Sequence, residues 1–480
     1  MTAWTALSQP GSSVSRRACT VWLLIAALSL PAVTVRIYAS DEIEYFAFLR
    51  SLWFDRDLSF ENEYQHFYDA GIAATTDFHE TFLERRTETG LRLNFATIGC
   101  ALLWSPFYAI ADAGTRAARL LGSSTPADGY AYPYLAAVCY GSALYGLGAV
   151  LLSWIGARRM GLHGTAAAAA LAVWIGTPLL FYTHVAPPMS HACSAFMVAL
   201  FVLTWLRVRT RWSWHGCAWL GGIAAVMTMV REQDAFFVCG PALDFLAFAV
   251  GRIRARSAAR PAEIGRLAAM ATAGIATGVL VFTPQALAYL ALNGRLGPSG
   301  IVERKMTWSA PHALQVLLSP EHGLLVWTPL VALGLLGLCL LSRVTASADA
   351  TSGSGWLSGC FVLMVAAQVY VAGSVESWTV AGAFGQRRFV ALTMLVTIGL
   401  AALLQLATTR RARLAASALV GLCVWWNLGL MAQFGAGLMD RQRLELGRNA
   451  YTTFVILPGR APAIVHRYLF DRASYYRPAR

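Results

Sequence analysis

The chain alternates between long apolar runs and short polar connections along most of its 480 residues. A transmembrane helix needs about 20 predominantly apolar residues, and about twelve runs approach that length. In lipid every backbone N–H and C=O group needs a partner within its own segment, so each run is expected to be a helix. Membrane β-strands would alternate with period two, and these runs do not. The runs lie near residues 20–39, 95–112, 131–156, 165–182, 190–206, 217–231, 235–250, 268–290, 323–342, 356–372, 389–407 and 415–433.

Composition agrees with a chain whose main solvent is lipid. Hydrophobic residues make up 57%, aromatic residues 12% and charged residues 13% of the sequence, and the mean hydropathy is +0.53. These values are typical of a polytopic membrane protein. The nine cysteines lie inside or at the edges of apolar runs without a CxxC pair, so they are expected to be small core residues.

The net charge of +13 raises the question of nucleic-acid binding. The basic residues are nearly all arginine, and they form short clusters between apolar runs rather than one stripe. A nucleic-acid surface would need them on one folded face, whereas clusters between spans follow the positive-inside rule for cytoplasmic loops. We therefore expect cytoplasmic loops at Arg158–Arg159, Arg207–Arg211, Arg252–Arg266 and Arg410–Arg413.

The first apolar run fixes the expected orientation. It follows Arg16–Arg17, it is longer than an ordinary signal-peptide core, and no small-x-small cleavage site precedes Asp41. These features indicate an uncleaved signal anchor with a cytoplasmic N-terminus, residues 1–19. Residues 20–433 then form the transmembrane domain, and residues 40–94 form a first external loop.

Two parts of this map stay open. If 95–112 spans fully, Arg158–Arg159 falls outside, so either this segment is re-entrant or interfacial or one cluster breaks the positive-inside rule. The tail, 434–480, comes out external but carries eight arginines, so the sequence leaves its side open.

Acidic residues concentrate in the first external loop. Twelve of the 25 carboxylates lie between Asp41 and Glu88. If helical spacing continues past the first span, Asp41, Glu44 and Tyr45 share one face. A carboxylate at the lipid–water boundary, such as Asp41 or its neighbour Glu42, is placed to act as a base. The alternative is an acidic cap on an interfacial helix.

Several cations lie on the external side, against the usual bias. They are Arg231, Arg387, Arg388 and Lys305, which is the chain's single lysine. Cations placed against the positive-inside rule are often functional, and arginine presents a bidentate fork suited to phosphate. A phosphate site would account for all four. Ion pairs with the acidic loop, or contacts with lipid headgroups, are the alternatives.

Three histidines and one tryptophan complete the candidate pocket. His184 and His191 flank "VAPPMS", where two prolines make the backbone irregular, and such backbone at membrane depth usually lines a cavity. The alternative for each is a capping or core histidine. Their spacing is interrupted by Pro-Pro and makes a weak metal pair, so no metal site is expected. His322 stands at the start of a helix, and Trp378 precedes the Arg387–Arg388 pair.

The pattern resembles the GT-C superfamily of integral-membrane glycosyltransferases, which includes protein O-mannosyltransferases and lipid A aminoarabinose transferases. It is more closely similar to the bacterial branch described as RgtA/B/C/D-like or dolichyl-phosphate-mannose-protein mannosyltransferase-like. The resemblance runs from about residue 20 to 433 and has fairly specific first and last motifs. The matching stretches are "SDEIEYFAFLRSLWFDRDLSFENEY", "CALLWSPFYAIADA", "VAPPMSHACSAF", "VREQDAFF", "LLSPEHGLLVWTPL" and "GAFGQRRF".

The resemblance implies a fold of about 11–13 transmembrane helices with a helical first external loop. It also implies a catalytic acid in that loop, which Asp41 matches with Glu42 beside it, and a polyprenyl-phosphate sugar as donor. The sugar would pass to a lipid, glycan or protein acceptor on the outer face of a bacterial inner membrane. No cofactor is expected, the alternative being a divalent cation held by Asp41 and Glu42.

Two other classes of protein compete with this interpretation. A transporter or lipid-linked sugar flippase would also have about a dozen helices. Against it stand the lack of an evident internal repeat and the scarcity of acids within the spans. A non-catalytic membrane scaffold would leave the acidic loop unexplained. Donor consumption separates a transferase from a flippase, which changes only the leaflet of the lipid.

Overall fold

The computed structural model describes residues 16–255, 260–345, 354–380 and 382–472. Within these ranges the chain is built from helices, and its extended pairings are two isolated bridges, Arg86 with Arg92 and Met306 with Val375. The described helices are α1 (Arg16–Ser29), α2 (Ser40–Arg50), α3 (Glu61–Asp69), α4 (Thr76–Phe78), α5 (Gly99–Leu120), α6 (Tyr132–Arg159), α7 (Ala166–Ile175), α8 (Leu179–His184), α9 (His191–Val208), α10 (Trp214–Val230), α11 (Cys239–Ala255), α12 (Arg260–Asn293), α13 (Gly300–Arg304), α14 (Ala313–Leu318), α15 (Leu324–Trp327), α16 (Pro329–Cys339), α17 (Leu341–Thr345), α18 (Ser354–Ser374), α19 (Thr393–Gln405), α20 (Arg410–Gly435), α21 (Leu446–Tyr451) and α22 (Leu457–Phe470). Short 3-10 turns cover Leu30–Ala32, Glu232–Val238 and Arg387–Leu392, and π-helical turns cover Ser51–Asp55, His79–Glu84 and Thr452–Ile456.

The apolar helices confirm an all-α, multi-pass membrane protein. Seven helical segments of the described residues are long and apolar enough to cross a bilayer: Tyr132–Arg159, His191–Val208, Glu232–Ala255, Pro261–Asn293, Gly355–Ser374, Arg387–Gln405 and Arg410–Gly435. Four shorter helices are also apolar: Thr20–Ala32, Ala166–Ile175, Trp214–Val230 and Pro329–Cys339. Together these segments coincide with every predicted run except 95–112.

The exception, α5, is amphipathic. Its buried side chains follow helical spacing along one face, at Cys100, Trp104, Tyr108 and Asp112, whereas Ile110 is 73% exposed. A helix with one buried polar-aromatic face and one apolar outer face is typical of the membrane interface. This pattern favours the interfacial alternative, which also keeps the Arg158–Arg159 cluster on the side of the N-terminus.

Small residues allow the spans to approach closely. A methyl group added to Gly221 of α10 would lie 1.9 Å from the carbonyl oxygen of Gly274 in α12. One added to Gly399 of α19 would lie 1.9 Å from the Gly334 carbonyl oxygen in α16. Lipid tails are as apolar as leucine, so helix association in the bilayer relies on such close packing.

Residues 40–94 fold against the bundle instead of forming an open loop. Phe46, Phe48 and Tyr64 are fully buried, and the Tyr64 hydroxyl donates to the Leu93 carbonyl oxygen at 2.8 Å. Arg50 pairs with the buried Glu63 carboxylate at 2.9 Å. This core holds the start of α2, and with it Asp41, in a fixed position.

The C-terminal helix returns to the first span. The Tyr468 hydroxyl donates to the Ala32 carbonyl oxygen at 2.7 Å and lies 3.3 Å from the His184 carbonyl oxygen. Ala32 precedes the segment that leads into α2. The part of the tail that includes Tyr468 therefore lies on the same side of the bundle as the acidic loop.

Candidate functional site

Polar side chains converge where four helical segments begin or end. Asp41 lies in the first turn of α2, and Arg387 and Arg388 open the 3-10 turn Arg387–Leu392. Arg231 follows the last residue of α10, and His191 is the first residue of α9. Helix ends leave backbone groups unpaired and let the chain turn, so polar residues gather there.

Asp41 and Arg387 form the central ion pair. Arg387 Nη1 lies 2.6 Å from Asp41 Oδ2, and the two side chains are 23% and 40% exposed. The Arg387 guanidinium holds the pKa of Asp41 below its usual value, and Arg231 and Arg388 are close enough to lower it further. Asp41 is therefore a carboxylate surrounded by three cations.

Arg231 and Arg388 contact neutral groups. Arg231 Nη1 donates to His191 Nδ1 at 2.6 Å, and its Nη2 donates to Gln233 Oε1 at 3.1 Å. Arg388 Nη2 donates to Ser377 Oγ at 3.1 Å. Across the described residues, neither arginine pairs with a carboxylate. The cluster therefore carries more positive than negative charge, which suits an anion.

The other acids of α2 have different partners. Glu42 Oε2 accepts the backbone N–H groups of Tyr38 at 2.8 Å and Ala39 at 3.2 Å, so it caps its own helix. Glu44 Oε2 accepts the Phe95 N–H at 2.6 Å. Burial raises the pKa of both Glu42 and Glu44 to about 8. Of these three carboxylates, the one paired with the arginine cluster is Asp41.

Tyr45 is close enough to the cluster to feel the charge of Arg231. Burial raises its pKa, and the nearby Arg231 guanidinium opposes that change. Its phenol therefore stays protonated at neutral pH and presents a hydroxyl beside the cations. This fits the shared face expected from the spacing of Asp41 and Tyr45, while Glu44 turns toward the Phe95 backbone.

Lys305 and Trp378 have contacts outside the arginine cluster. Lys305 Nζ lies 6.0 Å from the centre of the Phe95 ring, and the Lys305 carbonyl oxygen accepts the Glu376 N–H at 2.8 Å. Trp378 stacks on His312 with ring centres 5.6 Å apart. Neither side chain contacts Asp41 in the described residues, so the structure places them outside the central cluster.

Two of the predicted histidines serve other contacts. His322 has a left-handed φ of +66°, and its Nε2 donates to the Ala383 carbonyl oxygen at 2.9 Å. This bond holds the loop that leads to Arg387. Burial lowers the pKa of His322 to about 4. His184 is the last residue of α8, and its side chain lines an apolar cavity. Within the described residues, no three His, Cys, Asp or Glu side chains gather as metal ligands.

Sequence reasoning missed the residues that join the arginines. Gln233 accepts from Arg231 and donates its Nε2 to the Arg388 carbonyl oxygen at 2.7 Å. The Tyr182 hydroxyl donates to the Phe384 carbonyl oxygen at 3.1 Å, on the same loop. Gln233 stands inside the "REQD" stretch, so its position beside Arg231 was the available signal. Nothing in the sequence links it to Arg388.

Comparison with known proteins shows the fold. No protein-family model and no curated protein matches the chain. A solved structure does match it, that of ArnT from Cupriavidus metallidurans bound to undecaprenyl phosphate. The TM-score is 0.53 at 13% identity, over 96% of this chain and 79% of that one. ArnT is a GT-C glycosyltransferase. The chain has the GT-C fold.

This result confirms the fold that the sequence resemblance implied. The GT-C likeness covers nearly the whole chain, so it includes the folded loop 40–94 as well as the helical bundle. A shared fold hosts different reactions, and the reaction is argued from the site itself.

Proposed function

We propose that this chain is a membrane glycosyltransferase that transfers a sugar from a polyprenyl-phosphate donor to a hydroxyl acceptor on the outer face of a bacterial inner membrane. The observation that carries the proposal is the Asp41–Arg387 ion pair within a cluster of three arginines. It combines a base with a phosphate site in a GT-C fold. ArnT, whose structure has that fold, was solved with undecaprenyl phosphate bound.

The arginines would hold the donor phosphate. Arg231 and Arg388 have neutral partners, so their charge is available to an anion. When the bond between the anomeric carbon and the phosphate oxygen breaks, its electron pair moves to that oxygen and adds charge to the phosphate. Guanidinium groups fixed in advance around that position stabilise the charge as it develops.

Asp41 would accept the acceptor's proton. The hydroxyl oxygen attacks the anomeric carbon, and its proton passes to Asp41 as the new glycosidic bond forms. In the resting site the Asp41 carboxylate is bound to Arg387. We infer that the donor phosphate takes over Arg387 and releases Asp41 for this step, so that the base is free when the donor is bound.

The three arginines supply the positive charge that a divalent cation would otherwise provide. For this reason we propose that transfer needs no metal, and that a chelator leaves the rate unchanged. Asp41 is bound to Arg387, whereas Glu42 Oε2 accepts the Tyr38 and Ala39 N–H groups at the start of the helix, so the two carboxylates have different partners. Loss of transfer in chelator, restored by a divalent cation, would contradict this part of the proposal.

The decisive experiment uses the purified full chain in lipid with a panel of polyprenyl-phosphate sugars and candidate acceptors. Wild type is compared with Asp41→Asn and with Asp69→Asn, an exposed acid of the same loop that bonds Gln65. We expect one donor to be consumed by wild type and by Asp69→Asn, with turnover lost in Asp41→Asn. A donor that changes leaflet without forming a glycoside would make the chain a flippase.

A further inference from the structure

A pair of glutamine side chains contacts the arginine cluster. Gln233 belongs to the 3-10 turn Glu232–Val238, and Gln368 belongs to α18. Gln368 Nε2 donates to the Gln233 carbonyl oxygen at 3.1 Å, and Gln233 Nε2 lies 3.4 Å from Gln368 Oε1. Gln368 is 1% exposed and lies within the apolar span Gly355–Ser374. A polar side chain is unfavourable inside a span unless it is hydrogen-bonded, so a buried amide that reaches the site calls for an explanation.

Gln233 connects two of the three arginines. Its Oε1 accepts from Arg231 Nη2 at 3.1 Å, and its Nε2 donates to the Arg388 carbonyl oxygen at 2.7 Å. A guanidinium group only donates and a carbonyl oxygen only accepts, so exchanging the two ends of the amide would lose both bonds. The bond from Gln368 Nε2 to the Gln233 carbonyl oxygen fixes the second amide for the same reason. The network therefore has a single orientation.

The neutral charge of Gln233 matters for the site. Guanidinium groups that share one site repel each other, so each needs a partner that holds it in place when no anion is bound. A carboxylate at position 233 would hold Arg231 but would cancel its charge. An amide oxygen binds the same guanidinium group and leaves its charge available to a ligand. Cations that are fixed before the anion arrives do not have to reorganise when it binds.

We propose that Gln233 is a positioning residue of the phosphate site and that Gln368 fixes its orientation. Gln233 holds the Arg231 guanidinium group and the backbone of the turn that carries Arg387 and Arg388, so the cations are set relative to each other before the donor binds. The inference rests on the proposed function, because it takes the donor phosphate to be the anion of this cluster. It assigns Gln233 a role that is exerted through the arginines.

The test measures binding of undecaprenyl phosphate to the full-length protein in lipid nanodiscs at several salt concentrations. Gln233→Met keeps the length of the side chain and removes both hydrogen bonds, so affinity should fall about tenfold while its salt dependence stays that of wild type. Gln233→Glu keeps an acceptor for Arg231 but cancels its charge. Affinity should then fall about 10- to 100-fold, and its salt dependence should become shallower.

Gln433→Met is the control that separates positioning from packing. Gln433 is also buried in a span, where its Nε2 donates to Thr453 Oγ1 at 2.8 Å and its Oε1 accepts from Asn449 Nδ2 at 3.0 Å. Loss of these bonds should lower the midpoint of thermal unfolding and leave the affinity for undecaprenyl phosphate at the wild-type value. If Gln433→Met weakened binding as much as Gln233→Met, loss of packing alone would explain both results and the inference would be overturned.

Gln368→Met carries the test if neither Gln233 variant folds. It leaves Gln233 in place, removes the bond that fixes its orientation and should weaken binding about threefold. Wild-type affinity in the folded variants would overturn the inference and leave the proposed function standing. A wild-type protein that does not bind undecaprenyl phosphate would instead contradict the proposed function, and the inference with it.

Discussion

Asp41 Oδ2 and Arg387 Nη1 lie 2.6 Å apart, although Asp41 is in the first turn of α2 and Arg387 opens the 3-10 turn before α19. The pair joins the folded first loop to the last third of the bundle. In the resting site, Asp41, the proposed base, is therefore bound to Arg387, the residue proposed to hold the phosphate. In the proposed reaction, donor binding replaces the contact between Arg387 and Asp41 with a contact between Arg387 and the donor phosphate.

If Asp41 is the base and Arg387 holds the phosphate, substitutions at the two positions should affect turnover and donor binding differently. Asp41→Asn removes the charge that competes with phosphate for Arg387, so polyprenyl monophosphate should bind as tightly as to wild type or more tightly. Turnover should fall about 10²- to 10⁴-fold, the usual contribution of a general base. Arg387→Gln should instead weaken phosphate binding about 10- to 100-fold. Isothermal titration calorimetry measures the binding of polyprenyl monophosphate, and single-turnover assays measure the rate of transfer.

Arg295→Gln serves as the control for that series, since Arg295 pairs with Glu303 of α13 at 2.9 Å. It should leave both binding and turnover near wild type. Weaker phosphate binding in Asp41→Asn would show that Asp41 supports the phosphate site rather than competing for it.

Lys305 offers a test of how far the phosphate site extends. Its ammonium lies beside Phe95, whose backbone N–H binds Glu44, but outside the arginine cluster. If Lys305 reaches the donor phosphate, Lys305→Gln should weaken donor binding about three- to tenfold and Lys305→Arg should retain it. The salt dependence of binding should also become shallower in Lys305→Gln. Identical affinity and salt dependence would remove Lys305 from the site.

The membrane architecture was readable from the sequence because hydropathy records how apolar a run is. Hydropathy left the segment 95–112 open, and there α5 buries Trp104 and Tyr108 on one face and exposes Ile110 on the other. Hydropathy summed over a run does not distinguish the two faces of a helix. The conflict between a full span at 95–112 and the positive-inside rule at Arg158–Arg159 was the sequence signal for an interfacial helix. Hydropathy also does not detect breaks within an apolar run. The single predicted run 323–342 divides into α15, α16 and α17 in the structure.

The site was readable only as separate pieces. The sequence singled out Asp41 and the external arginines by their position against the charge bias, and the structure brings Asp41, Arg231, Arg387 and Arg388 together. The family resemblance singled out Asp41, but the spacing of the residues did not rank the acids of α2, because Glu42 and Glu44 differ from Asp41 in partners that lie at the helix start and at Phe95. Such pairings depend on tertiary packing that periodicity does not encode.

Buried acids in the first loop predict a pH dependence of stability. Burial raises the pKa of Glu44 from 4.5 to about 8, so above pH 4.5 the folded state keeps a proton that the unfolded chain releases. The free energy of unfolding therefore falls as pH rises through this window. In detergent, the midpoint of thermal unfolding should be lower at pH 8.5 than at pH 6.5. Glu44→Gln should make this decline shallower.

Glu42 and Glu63 contribute in the same direction, with pKa values raised to about 8 and about 7, so the decline should shrink without vanishing. The lowered pKa of Asp41 acts in the opposite direction but at acidic pH, outside this window. Glu88→Gln, at an exposed position of the same loop, should keep the wild-type slope. A steeper decline in Glu44→Gln would contradict the assignment.

Close packing of α16 and α19 predicts a position that tolerates no side chain. The methyl group of Gly399→Ala would lie 1.9 Å from the Gly334 carbonyl oxygen, so the two helices must separate. Overpacking of this kind costs about 1–3 kcal/mol. Gly421→Ala in α20 is the matched control, because nothing lies within 4 Å of the added methyl group. Thermal unfolding in one detergent should show a lower midpoint for Gly399→Ala and an unchanged or higher one for Gly421→Ala. Equal midpoints would mean that α16 and α19 are not in close contact at this glycine. The contact matters for the site because α19 directly follows the 3-10 turn that carries Arg387.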